Sequence, residues 1–259
     1  MPMHWYIIGD TARGAAHVRH DKPNQDAWGF VQTDDYVCVA VADGHGSEKH
    51  YHSDIGAELA VTSALDLLQA FAAQTFSARH IKQSAEYLAR KLVQAWRSAV
   101  DEFDGGKTPA EQRYNVYGTT LISTLVTADY ALYLQIGDGD LLLLDAANHV
   151  LRPLQKQEQL LANETYSLST EDAMYRVEHR LQFFSHHPKP QLIFLATDGY
   201  ANSFADEFGL QQAVQDFQTQ INEHGIKTVQ ENLAQWLYET SEQGSGDDVS
   251  VVLLVSAAQ

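Results

Sequence analysis

Apolar residues follow two rhythms along this chain. Short runs, continuous or alternating and rich in β-branched residues, cover 5–9, 27–31, 36–42, 118–126, 130–136, 141–144, 176–184, 192–197 and 249–255, and predict strands. Between them the spacing turns helical. Ile55, Leu59, Ala60, Leu65, Leu67, Leu68 and Phe71 predict one helix, and Ile81, Leu88, Leu92, Val93, Trp96, Val100 and Phe103 a second. Residues 206–222 and 228–240 predict another amphipathic pair. Gly105-Gly106-Lys107-Thr108-Pro109 reads as an exposed loop, and 153–175 as polar and irregular with at most a short helix over 155–162. Asp129 and residues 137–140 read as the turns of an antiparallel meander formed by 118–126, 130–136 and 141–144.

The order is strands, helix pair, strands, helix pair, strand. It lacks the regular alternation of a doubly wound fold and predicts antiparallel sheets with helices packed outside them. No linker divides the chain, so 1–259 is expected to form a single domain. A formal net charge of −17 over 259 residues opposes nucleic-acid or anionic-membrane surfaces, which need basic patches. No run reads as a membrane span or a secretory leader, and a cytoplasmic protein is expected. Cys38, the one cysteine, lies within an apolar run and is expected to be a buried structural thiol.

The chemistry concentrates in five acidic clusters: Asn24-Gln25-Asp26, Asp43-Gly44-His45-Gly46, Gly137-Asp138-Gly139-Asp140, Asp198-Gly199 and Asp247-Asp248. Four of them sit at the ends of predicted strands. Packing can bring such ends together, and carboxylates brought together need a counter-charge. A hard divalent cation supplies it, since Mg²⁺ and Mn²⁺ take carboxylate, carbonyl and water oxygens.

Six stretches, in order, resemble the type-2C family of metal-dependent protein serine/threonine phosphatases. They are Pro23-Asn24-Gln25-Asp26-Ala27, Val41-Ala42-Asp43-Gly44-His45-Gly46, Gly118-Thr119-Thr120, Ile136-Gly137-Asp138-Gly139, Ala196-Thr197-Asp198-Gly199-Tyr200 and Gly246-Asp247-Asp248-Val249-Ser250-Val251-Val252. The resemblance implies an α+β fold, a four-layer α-β-β-α sandwich of two antiparallel sheets flanked by helix pairs. It implies hydrolysis of phosphoserine and phosphothreonine on proteins by a hydroxide bridging two Mn²⁺ or Mg²⁺ ions, with a third, weaker ion site. Asp43 matches the bridging carboxylate, Gly44 the carbonyl ligand, and Asp198 and Asp247 the remaining ligands of one ion. Asp26 matches the carboxylate near the second ion, and Asp138 the weaker site. His45 matches the general acid, a role suited to an imidazole with its ordinary pKa near 6.5. A phosphoprotein substrate and an upstream Ser/Thr kinase are the implied partners.

Three departures from the family pattern matter. Gln25 stands where an acidic residue is common, so altered affinity for the second ion is expected. Asp248 stands where Asn is common, leaving Asp247 favoured as ligand and Asp248 as the alternative. The phosphate-binding arginine is displaced by two residues to Arg19, with Arg13 and His17 as fallbacks. The region 153–175, with Tyr166 and Met174, corresponds to the family's mobile flap, or else is an ordinary surface loop. Two other readings compete. His45, His50 and His52 with Asp54 form a zinc-like cluster, read here as a solvated loop. A non-catalytic phosphoprotein adaptor is opposed by the retention of Asp43, Asp198 and Asp247.

Overall fold

The computed structural model describes residues 5–74, 78–157 and 165–257. In chain order its elements are β1 (Trp5–Ala12), α1 (Ala15–Arg19), β2 (Asp26–Gln32), β3 (Tyr36–Asp43), a 3-10 turn (Glu48–His50), α2 (Ser53–Ala72), α3 (Ala78–Asp104), α4 (Arg113–Val116), β4 (Leu121–Thr127), β5 (Tyr130–Ile136), β6 (Asp140–Leu144), β7 (Val150–Leu151), α5 (Ala173–Arg176), β8 (Glu178–Phe183), β9 (Leu192–Ala196), α6 (Asp198–Ala201), α7 (Glu207–His224), α8 (Ile226–Gln243) and β10 (Val249–Ser256). The strands form two antiparallel sheets, ordered β1-β10-β9-β6-β7 and β2-β3-β4-β5-β8. The α+β sandwich expected from the sequence is present.

Three apolar layers explain why. Between the sheets pack Val37, Val39 and Val41 of β3 with Leu195 of β9 and Val252 and Leu254 of β10. The opposite face of β3, with Cys38, Ala40 and Ala42, packs under α2 and α3 around the fully buried Trp96. The outer face of the other sheet packs under α7 and α8 through Phe194, Leu253, Val214 and Leu233. Alternate side chains along a strand point to opposite faces. A strand covered on both faces therefore reads as a continuous apolar run, as 36–42 does.

Four sequence expectations change. The meander does not form: β5 is paired on both edges, by β4 and β8, so no edge remains for β6. The chain instead crosses to the other sheet, where β6 pairs with β9. The crossing needs the left-handed backbone of Gly137 (φ 106°), and Gln135 Nε2 braces it by donating to the carbonyls of Gly137 and Gly139. Second, Ala173–Arg176 is a helical turn, so β8 starts after Arg176. Third, residues 155–157 of the predicted 155–162 helix are not helical, and 158–162 lie outside the described residues. Fourth, α2 does have the length and mean hydropathy (1.3) of a membrane span. Its apolar face is used internally, with Ala57, Ala60, Ala64 and Leu68 fully buried in the layer it shares with α3 and the sheet. Short α1 was not foreseen.

Candidate active site

The sheet register builds the site. Asp26, at the start of β2, lies directly opposite Asp43, at the end of β3. On the neighbouring sheet β9 ends at Ala196, and Thr197 leads into α6, which begins at Asp198. Thr197 ties the sheets together: its N–H donates to Ser250 O (3.1 Å) and its hydroxyl to Asp26 Oδ2 (2.7 Å). The β5–β6 crossing brings in Asp138, and the turn before β10 brings in Asp247 and Asp248.

These carboxylates feel one another's charge. Burial raises Asp43 well above the usual carboxylate range, and the charges of Asp198, Asp26 and Asp247 raise it further. Burial likewise raises Asp26, with Asp248 and Asp198 adding to it against the bond from Thr197. Asp198 is pushed up to about 6 by burial and by Asp138 and Asp247. Burial and the neighbouring charges thus favour the protonated form of Asp43, Asp26 and Asp198 over the ionised one. Among the described residues no lysine or arginine pairs with Asp26, Asp43, Asp138, Asp198 or Asp247. Asp140, two residues from Asp138, shows the contrast: it is fully buried but bonded to Arg152 (2.7 Å) and Lys156 (3.4 Å), as a structural carboxylate should be.

Asp247 and Asp248 have opposite surroundings. Asp248 is buried and engaged on both oxygens: Gly14 N–H donates to Oδ1 (2.6 Å), and Gln25 N–H (2.6 Å) and His17 Nδ1 (2.8 Å) donate to Oδ2. It clamps residues 14–25, including α1, against β10. Asp247 has a half-exposed side chain, with Oδ1 accepting from Asp248 N–H (2.9 Å). The carboxylate with free acceptor capacity is thus Asp247. The clamp role of Asp248 was missed in the sequence; an acidic residue next to a favoured ligand gives no signal of which one faces the loop.

Gly44 is held by the Gln25 carbonyl, and the flanking bonds His45 N–H to Gly118 O and Thr120 N–H to Asp43 O form its bridge to Thr119. The Gly44 carbonyl is left outside those bonds. Any side chain there would meet the carbonyls of Ser53 and Gln25 at 2.5 and 2.6 Å. Gln25 is buried, its Nε2 donates to Ser53 Oγ (2.6 Å), and its Oε1 has no partner among the described residues. A buried acceptor without a donor beside an uncompensated all-oxygen cluster is the environment a hydrated divalent ion fits.

His45 departs from expectation. Burial and the adjoining His50 (ring centroids 4.8 Å apart) push its imidazole down to about 3, far from 6.5, so it is neutral at neutral pH. The zinc-like cluster is otherwise occupied: His50 Nδ1 donates to the Asn115 carbonyl, and His52 packs between Tyr51 and Tyr117. Arg19 is exposed on α1, with its guanidinium 3.9 Å from where a Cβ on Gly246 would be. Arg13 donates instead to His17 O and Asp21. Tyr166 and Met174 pack partly buried against the helical layer, and Leu168 N–H and Ser167 Oγ both donate to Thr119 O, which ties this stretch beside the site.

The sequence profile of the family described as protein phosphatase 2C matches residues 13–238. The chain belongs to the protein phosphatase 2C family. Solved structures superpose over almost the whole chain. The serine/threonine phosphatase Stp1 from Staphylococcus aureus is 14% identical, with 100% of this chain and 96% of that one covered at a TM-score of 0.66. PppA, described as a key regulatory component of T6SS in Pseudomonas aeruginosa, is 17% identical, with 99% of each chain covered and a TM-score of 0.66. The catalytic domain of the serine/threonine protein phosphatase PstP, in complex with two manganese ions, is 16% identical, with 98% of this chain and 99% of that one covered and a TM-score of 0.61. At these identities the likeness speaks to the fold alone. No curated protein matches the chain by sequence.

Proposed function

We propose that this chain is a metal-dependent protein phosphatase that hydrolyses phosphoserine and phosphothreonine on proteins, reversing an upstream kinase. The observation that supports the reading is that Asp26 and Asp43 face each other at strand ends and that the charges of Asp26, Asp43, Asp138, Asp198 and Asp247 act on one another, with no lysine or arginine paired to any of them among the described residues. Asp43, Asp198, Asp247 and the Gly44 carbonyl are the residues that would hold one ion, with Asp43 shared toward a second near Asp26 and Gln25, and Asp138 at the margin. Two Mn²⁺ or Mg²⁺ ions held there would lower the pKa of water and neutralise charge on a phosphoryl group.

The remaining chemistry falls to the chain. Hydrolysis breaks the bond from phosphorus to the Ser or Thr oxygen and forms one to a water oxygen, and a proton lost by the water ends on the Ser or Thr oxygen as its hydroxyl. Thr197 and the Asp248 clamp fix the carboxylates before substrate arrives, which lowers the reorganisation cost. Arg19, exposed beside Gly246, is placed to meet a phosphate oxygen. His45, being neutral, acts as a hydrogen-bond donor at the leaving oxygen rather than as an imidazolium acid.

The test is phosphate release from a phosphothreonine peptide with and without added Mn²⁺ or Mg²⁺. Asp43→Asn and Asp198→Asn should each lower the rate about a hundredfold or more. Peptide binding without metal-dependent release would instead support the adaptor reading.

A further inference from the structure

Among the described residues, His17 is the imidazole that groups with two of the clustered carboxylates, Asp247 and Asp248, at metal-ligand spacing. Its ring is only 12% exposed. Nδ1 lies 2.8 Å from Asp248 Oδ2, a carboxylate that already accepts two backbone N–H groups. That makes Nδ1 the donor and leaves the lone pair of neutral imidazole on Nε2. Nε2 in turn lies 3.7 Å from Asp247 Oδ1. Two atoms that bind one ion at about 2.1 Å each can be no more than about 4.2 Å apart, so this spacing lets both reach the same cation. A buried carboxylate that fixes a ring by its Nδ1–H while Nε2 faces outward is the arrangement that orients metal-binding histidines elsewhere.

We propose that His17 Nε2 is a nitrogen donor to the cation that Asp247 helps to hold, so that this centre is mixed nitrogen–oxygen and discriminates against Mg²⁺. The inference rests on the metal-centre reading above and adds a ligand to it. Imidazole suits transition ions, whereas Mg²⁺ strongly favours oxygen, so one such donor shifts selectivity toward Mn²⁺. Asp248 then has two tasks: it clamps residues 14–25, and it sets the tautomer of His17. Helix α1 is what delivers His17, since its first residues are pinned by Gly14 N–H to Asp248 and Ala16 N–H to Gly246 O (2.8 Å).

The experiment uses the full chain freed of metal and then loaded with Mn²⁺. Electron spin-echo modulation should show a directly coupled ¹⁴N nucleus, which shifts on ¹⁵N-histidine labelling and disappears in His17→Gln. Competition titrations should show Mn²⁺ affinity falling about tenfold or more in that variant, with Mg²⁺ affinity much less affected. A thermal melt of the metal-free variant checks folding. Should it not fold, His20→Gln, His45→Gln and His50→Gln decide by elimination, since the coupling must survive in all three. Bound Mn²⁺ with no nitrogen coupling overturns the His17 assignment and leaves the oxygen site standing. Failure of Mn²⁺ to bind the wild-type chain overturns both.

Discussion

Adjacent aspartates with opposite tasks give the sharpest prediction. Asp248→Ala removes the acceptor of two backbone N–H groups and one imidazole N–H, at 2.6, 2.6 and 2.8 Å. Each buried donor left unpaired costs about 1–3 kcal/mol. Part of this is returned, because Asp248 also repels Asp26. The net loss is about 3–5 kcal/mol, a large share of a typical total of about 5–15 kcal/mol. Asp248→Asn keeps one acceptor oxygen and should lose roughly half as much. Asp247→Ala, at a half-exposed side chain, should change stability by less than about 1 kcal/mol yet weaken Mn²⁺ binding at least about tenfold. Urea unfolding in the presence of a chelator, followed by circular dichroism, gives the first quantity, and calorimetric Mn²⁺ titration the second. The reverse pattern, with Asp247→Ala unfolding the chain and Asp248→Ala costing under about 1 kcal/mol, would refute the assignment of clamp and ligand.

Other predictions follow from the same electrostatics. Asp198 has its pKa raised to about 6 from the ordinary 3.8, so the metal-free fold holds more protons than the unfolded chain between those values. The stability this proton confers is full below about pH 3.8 and lost as pH rises through about 6, so the metal-free Tm should fall across that window, less steeply in Asp198→Asn. An unchanged slope in the variant counts against it. Asp43→Asn removes a carboxyl that burial and repulsion from Asp198, Asp26 and Asp247 keep protonated where the unfolded chain would ionise it, and should raise the metal-free Tm at neutral pH, by about 2–4 °C for each kcal/mol relieved, while abolishing phosphate release. An unchanged or lower Tm contradicts the repulsion. Gly44→Ala drives a methyl against the Ser53 and Gln25 carbonyls and should cost about 1–3 kcal/mol together with metal affinity; a neutral variant would show that the backbone there can yield.

The sequence made the strands and the convergence of their ends legible for definite reasons. Strands buried on both faces leave long apolar runs, so the run 36–42 announced β3 and located Asp43 at its end. The crossing after β5 was not legible, because period-2 patterning identifies a strand without saying which sheet has an edge free to receive it. Asp138 was nonetheless singled out, since the Gly-Asp-Gly-Asp text marks a sharp turn in either topology. The neutral state of His45 was invisible, because it depends first on the burial of its ring in the fold and then on His50 packing against it from the 3-10 turn. The clamp by Asp248 depends on partners more than two hundred residues away, Gly14 and Gln25, and no local pattern encodes that.

The central claim is that Asp43, Asp198 and Asp247 jointly hold divalent ions. Anomalous diffraction from crystals of the chain grown in Mn²⁺ tests it most directly. The account predicts strong peaks within direct coordinating reach of all three carboxylates, about 2.1–2.2 Å, with the Gly44 carbonyl alongside. A map with no anomalous peak among those side chains, or with Mn²⁺ found only elsewhere on the acidic surface, would contradict it.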